Sequence, residues 1–289
     1  MENMIDLTPI YDLIPALLPF ESLKLRFMQQ AFLGLLILAP MAATMGIQVV
    51  NFRMAFFSDA ISHSVFAGVA IGLILSINPY LSTPLLGLII GLGIMALQRR
   101  SNLSMDTIIG VFFSAIVAFG LAIVSREQSI ARNLQSFLYG DILTITEENI
   151  FLLLILFVCL TLFQIAGYNR MLYIGLHPIL AEAHRVKVAL YQYLFAALLS
   201  IVVVFSVWAV GVLLVTALLI VPAAAARNFA KSAASIFWWS LLISISSALS
   251  GLIISAQDWA QTATGATVVL VSCVWFMASL IVNSLLRRQ

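Results

Sequence analysis

The feature that most restricts this chain is a succession of apolar runs, each near the ~20 residues that a helix needs to cross a bilayer. They fall at roughly 27–50, 55–76, 84–98, 106–125, 147–167, 189–208, 210–229, 235–256 and 264–285. In hydrocarbon every backbone N–H and C=O must be satisfied within the spanning element, so runs of this length predict α-helices. The predicted fold class is all-α: a polytopic integral membrane protein of about nine transmembrane helices, one transmembrane domain over 1–289. Composition agrees, with 63% hydrophobic and 9% charged residues against about 25% charged in soluble domains. The apolar run from Ala189 to Val221 is too long for one helix and is divided near Trp208–Gly211, where an interfacial Trp and a Gly suit a tight turn. The third run is short, and Gly87 and Gly91 allow close packing there. Residues 1–26, with Pro9, Pro15 and Pro19, read as a lead-in lying along the membrane surface.

Lys and Arg set the expected orientation. With the N-terminus outside and nine crossings, Arg53, Arg99, Arg100, Arg170, Arg185, Lys187, Arg227, Lys231, Arg287 and Arg288 lie on the cytoplasmic side. Lys24, Arg26, Arg126 and Arg132 lie outside, so the positive-inside rule predicts N-out and C-in. The outer segment from Ser129 to Leu143 is helix-compatible, and Glu127, Asp141, Glu147 and Glu148 make that side acidic, either as ordinary solvated charges or as a mild attractor of cations.

Several functions are excluded by what the chain lacks. There is no GxxxxGK[ST] loop to cradle ATP phosphates, no HExxH zinc-protease helix and no GxSxG elbow, so the chain is not expected to be an enzyme. A net charge of +2 without a basic patch argues against nucleic acid. Cys159 and Cys273 sit inside apolar spans and read as packing residues. The acidic start MENMIDL lacks the basic region of a signal peptide.

The chemistry concentrates in Phe57–Leu75, FSDAISHSVFAGVAIGLIL. Asp59 and His63 are four apart and share a helix face. A carboxylate inside a membrane span costs at least about 2.5–3.5 kcal/mol, so an ionisable pair there is a functional site by default, with an inter-helix bridge as the plainer alternative. Carboxylate with imidazole suits manganese, zinc or ferrous iron. Two ligands are too few for a closed site and suit a pathway that an ion must leave. Beside the pair, Ala60, Ser64, Gly68 and Gly72 form a line of small residues along which another backbone can approach. Met41 and Met45 in the first span are explained by packing.

The same stretch, Ser58-Asp59-Ala60-Ile61-Ser62-His63-Ser64-Val65-Phe66-Ala67-Gly68, resembles the GDALSHAVLPG segment of the permease subunits of ATP-binding-cassette importers for manganese, zinc and iron. Val210–Arg227, VGVLLVTALLIVPAAAAR, is similar to VGVLLVSALLIIPAATAR of that family, and Leu138–Leu143, LYGDIL, matches more weakly. Ala67 stands where the family has proline and Ala225 where it has threonine. The resemblance implies a plasma-membrane permease of a divalent-metal importer, manganese or zinc ahead of iron, with Asp59 and His63 as intramembrane metal ligands. The metal is cargo, and no permanently bound cofactor is expected. Implied partners are two ATPase subunits, an extracytoplasmic metal-binding protein, and a second permease, identical or a close paralogue, within membrane lipid. Residues 173–188 correspond to the family's cytoplasmic coupling loop, which assigns ATPase docking to Glu182, Ala183, His184 and Arg185. The alternative is a stand-alone secondary transporter or channel for divalent metals; no internal repeat supports it.

Overall fold

The structure, a computed structural model, describes residues 8–17, 20–125 and 142–286. Most of the expected outer helix at 129–143, with Glu127, Asp141, Arg126 and Arg132, lies outside the described residues. Nine helices long and apolar enough to cross a membrane are present among the described residues. The first helix, α1 (Thr8–Leu17), is short and is followed by a 3₁₀ turn at Glu21–Lys24. The spans are α2 (Arg26–Asn51), α3 (Phe57–Ile74), α4 (Pro79–Arg100), α5 (Met105–Val124), α6 (Glu147–Leu176), α8 (Val188–Val210), α9 (Val212–Phe229), α10 (Ala233–Ser255) and α11 (Thr264–Leu286); a one-and-a-half-turn helix, α7 (Pro178–Ala183), joins α6 to α8.

Helix starts follow local chemistry. Asn78, Ser104, Thr146 and Ser232 cap α4, α5, α6 and α10 by accepting a backbone N–H of the first turn, at 2.9, 3.2, 3.3 and 3.2 Å, each cap contributing about 1 kcal/mol. Pro79 at the first position, where no N–H is needed, lets α4 begin five residues before the expected 84. The third span is therefore full length. The fifth is longer than expected as well, since α6 continues past Arg170 to Leu176. At Gly211 the chain passes from α8 directly into α9 with φ 89°, a backbone region glycine enters without steric cost. The division expected near Trp208–Gly211 is present.

The bundle has two halves. In one, α3 packs against α4, α5 and α8; in the other, α2, α9, α10 and α11 pack together, with α6 along α2. Contacts of α6 with α8, and of α3 and α8 with α9, join them. With no water to drive association inside a bilayer, packing and inter-helix hydrogen bonds must hold helices together. Ser240 and Ser244, one turn apart on α10, donate to the carbonyls of Ala43 and Ala39 on α2 at 3.3 and 2.8 Å, and Gln164 Nε2 of α6 donates to Thr44 O at 3.2 Å. These three donors tie α10 and α6 to the middle of α2, near Pro40. Met41 and Met45 are fully buried in the core. Cys159 and Cys273 are not: both free thiols lie exposed on the outside of the bundle, because each falls on the outward face of its helix. The lead-in is pinned rather than loose. Tyr11 is fully buried, with the Arg26 guanidinium 3.6 Å over its ring, and Arg26 pairs with Glu147 at 3.1 Å.

Candidate functional site

Asp59 occupies the first turn of α3, and His63 follows one turn further in, about 6 Å along the axis at 1.5 Å per residue. The position alters the cost argued from sequence alone. Asp59 sits near the end of its span, where free backbone N–H groups and the positive end of the helix dipole favour a carboxylate. Ala67, in place of a proline, keeps its N–H, and α3 runs unbroken from Phe57 to Ile74.

Asp59 and His63 are half-buried and line one cavity of about 340 Å³ with Phe56, Asp106, Ile109, Gly110 and Phe113. Its far wall is α5. His63 meets the edge of the Phe113 ring at a centroid distance of 5.0 Å, and Phe66 lies at 5.8 Å. From the other half of the bundle, Thr216 on α9 stands near the Asp59 side chain, with its hydroxyl donating to Leu213 O of its own helix at 3.3 Å. The cavity itself lies between α3 and α5.

Two site residues escape the sequence argument. Asp106, in the first turn of α5, brings a second carboxylate to the cavity. In sequence it follows Ser104 and reads as an ordinary acidic helix start. Thr216 lies within the matched Val210–Arg227 segment but resembles any helical threonine there. Among the described residues no three His, Cys, Asp or Glu side chains converge on one point. Asp106 therefore lines the cavity without completing a ligand set with Asp59 and His63, and the geometry is that of an open wall of oxygen and nitrogen donors rather than a cage.

The small-residue line has an occupant within the same chain. A Cβ on Gly68 would stand 2.8 Å from Thr83 Cα of α4, and Ser82 Oγ donates to Gly68 O at 2.7 Å. Gly72 faces Ser82 and the turn at Ile77–Pro79, Ser64 lies beside the Gly87 backbone, and Ala60 is fully buried. By contrast α5 leaves Gly110, Ser114, Ala118 and Ala122, again every fourth residue, exposed on its outer face, and a Cβ at Gly110 would meet nothing within 4 Å.

At the far side of the chain order, residues 173–188 begin inside α6 and then form α7 and a turn in which Arg185 adopts φ 62°. Glu182, Ala183, His184 and Arg185 are exposed, and Tyr173 meets His184 edge-on at 5.7 Å. Ala181 anchors the helix by full burial, whereas Ile179 is 84% exposed. This segment shares an end of the bundle with Arg53, Gln98 and Gln192, which line a common cleft with Pro178. His177 and His184 line none of the walls of the Asp59 cavity.

Among the described residues, nine apolar helices and a cavity between α3 and α5 that holds two carboxylates and an imidazole define a polytopic membrane protein with a polar station on one of its spans. Residues 24–283 match the family model described as "ABC 3 transport family", and the chain belongs to that family. It is a multi-pass plasma-membrane protein. It is 31% identical to the high-affinity zinc uptake system membrane protein ZnuB of Haemophilus influenzae, over 86% of this chain and 95% of that one. It is 30% identical to the manganese import system permease protein ScaB of Streptococcus gordonii, over 88% and 90%. Among solved structures, PsaBC from Streptococcus pneumoniae in complex with Fab superposes with a TM-score of 0.74 at 28% identity, covering 93% of this chain and 95% of that one.

Proposed function

We propose that this chain is the permease subunit of an ATP-driven importer of a divalent transition metal, manganese or zinc, and that Asp59 and His63 form the station through which the ion passes. The observation that carries this is the cavity itself: a carboxylate and an imidazole one turn apart, with a second carboxylate opposite, inside a member of a transport family. The names of relatives that import zinc and manganese support the cargo. An incomplete donor set suits passage, because a closed four-ligand site would retain the ion. Asp59 offsets part of the dehydration cost with its charge, His63 adds a borderline-soft nitrogen, and Asp106 draws the cation along the same wall.

ATP hydrolysis belongs to a separate pair of ATPase subunits. Glu182, Ala183, His184 and Arg185, with the exposed Ile179, present the docking surface toward them, on the cytoplasmic side in an N-out, C-in arrangement. Arg53, Arg99, Arg170 and Arg185 at that end support this orientation. A metal-binding protein delivers the ion at the opposite face. A second permease chain completes the pathway. Because α4 already fills the Gly68 line, the second chain meets the exposed small-residue face of α5, which borders the cavity at Gly110. Nucleotide-driven closure of the ATPases then tilts the halves about the α3–α9 contact and alternates access.

The test is uptake of radioactive manganese or zinc into proteoliposomes holding the chain, with and without the ATPase. ATP-dependent uptake only when the ATPase is present is expected. Equal metal flux through the chain alone would overturn the assignment in favour of a stand-alone carrier.

A further inference from the structure

A second cavity has a lining separate from that of the Asp59 station. It measures about 430 Å³ and opens between α2, α6 and α10. That volume is in the range of small-molecule sites, which are mostly apolar with a few polar anchors. Here the apolar surface comes from Phe157, Ile165, Phe237, Trp238 and Leu241, and Gln164 and Tyr168 supply the polar atoms. Gln164 is only 8% exposed. Its Nε2 is committed to Thr44 O, but its Oε1 meets no partner among the described residues, nor does the Tyr168 hydroxyl. The hydroxyls of Thr44 and Thr161, also at the cavity, donate to carbonyls of their own helices and so do not satisfy either atom. Unpaired polar atoms at membrane depth cost several kcal/mol each, so this pair calls for a ligand with its own donor or acceptor.

Depth indicates which ligand. Arg170 follows Tyr168 by two residues and Gln164 by six, about 3 and 9 Å along the helix. If Arg170 marks the charged headgroup level, Tyr168 and Gln164 lie at the boundary between headgroups and hydrocarbon, where Trp and Tyr are enriched. The mouth is bordered by Ile165, 80% exposed, and Trp238, 65% exposed, both on the outer surface of the bundle. We propose that this cavity holds one membrane phospholipid as a structural ligand. The Tyr168 hydroxyl donates to an ester carbonyl of the lipid, a water held on that ester donates to Gln164 Oε1, which can only accept, and one acyl chain runs along Phe157, Phe237 and Leu241. The lipid clamps α6 and α10 to α2 at Pro40, on the side of the bundle opposite the ion's cavity.

The experiment uses the full chain in vesicles of phosphatidylethanolamine and phosphatidylglycerol containing a phosphatidylglycerol with a diazirine next to the ester of one acyl chain. After irradiation, peptide mapping is expected to find adducts concentrated on 157–168 and 237–241. Gln164→Leu with Tyr168→Phe, which conserves shape and removes the two polar anchors, is expected to lower that labelling about tenfold, in keeping with one to two lost hydrogen bonds. Thr161→Phe, which fills the cavity and keeps both anchors, is expected to lower it as well. Adducts spread evenly over the outer faces of α4, α5 and α11, or labelling unchanged in both variants, would mean only annular lipid and overturn the assignment. Labelling lost from the filled variant but kept in the anchor variant would also overturn it, since the cavity would then take any acyl chain without polar recognition.

Discussion

At the scale of single residues, the site is decided by which side chains the fold turns toward one space. Asp59 and His63 share a face because they are one turn apart, and that much is a property of any helix. Thr216 joins them only because α9 crosses α3. Asp59→Asn keeps the shape and removes the charge. It is expected to leave assembly with the ATPase intact and abolish uptake, measured by co-purification and radioactive metal flux. His63→Ala should do the same. If Asp59→Asn transports normally, the pair is a bridge between half-bundles and the ion runs elsewhere. Thr216→Val removes a hydroxyl near Asp59 with little change of volume. Polar neighbours of a metal ligand typically contribute 10–100-fold, and a fall in uptake of up to about tenfold is expected.

At the scale of helices, close approach is the governing quantity. Gly68 accepts the α4 backbone so closely that even one methyl would press on Thr83. Gly68→Leu is expected to destabilise the permease by about 1–3 kcal/mol or more through overpacking, and to stop transport by pushing α4 from α3. Thermal unfolding in detergent reads the first effect and metal uptake the second; an unchanged midpoint with normal uptake would refute both. The small helix α7 works differently, since its outward surface is free. Ile179→Asp, and separately Glu182→Ala with His184→Ala, should leave the fold unchanged and weaken ATPase co-purification, because these positions are exposed while Ala181 holds the helix in place. Full retention of the ATPase and of transport by both variants would mean docking lies on another segment.

At the scale of the whole molecule, labelling reads orientation and assembly. Cysteine at position 102, exposed in the turn between α4 and α5, is expected to resist an impermeant thiol reagent added from outside and to react once the membrane is opened; Cys159 and Cys273 are replaced by serine first. Reaction from outside would invert the topology and move the docking surface to the wrong side. The exposed face of α5 offers a matching check of assembly. Gly110→Cys or Ser114→Cys is expected to form a disulfide between two copies of the chain on mild oxidation, whereas a cysteine at Gly68 is not, since α4 covers it. The reverse pattern would restore the α3 line as the seam.

Much of this protein is legible in its sequence because a bilayer imposes one rule at every position: backbone groups must be satisfied locally, so each long apolar run becomes a helix. All nine spans, the break at Gly211 and the shared face of Asp59 and His63 follow from that rule. Where a helix begins and how far it outlasts the membrane depend on caps and on tertiary support, which is why α4 starts at Pro79 and α6 continues to Leu176. Partners along the chain are a different matter. Within hydrocarbon every face of a helix is apolar, so hydropathy does not distinguish a face packed on protein from one facing lipid. The line through Gly68 and the line through Gly110 look alike as sequence, yet packing buries the first against α4 and leaves the second open. Only the tertiary structure decides which small residues are already occupied, that Cys159 and Cys273 point outward, and that Asp106, forty-seven positions from Asp59, shares its cavity.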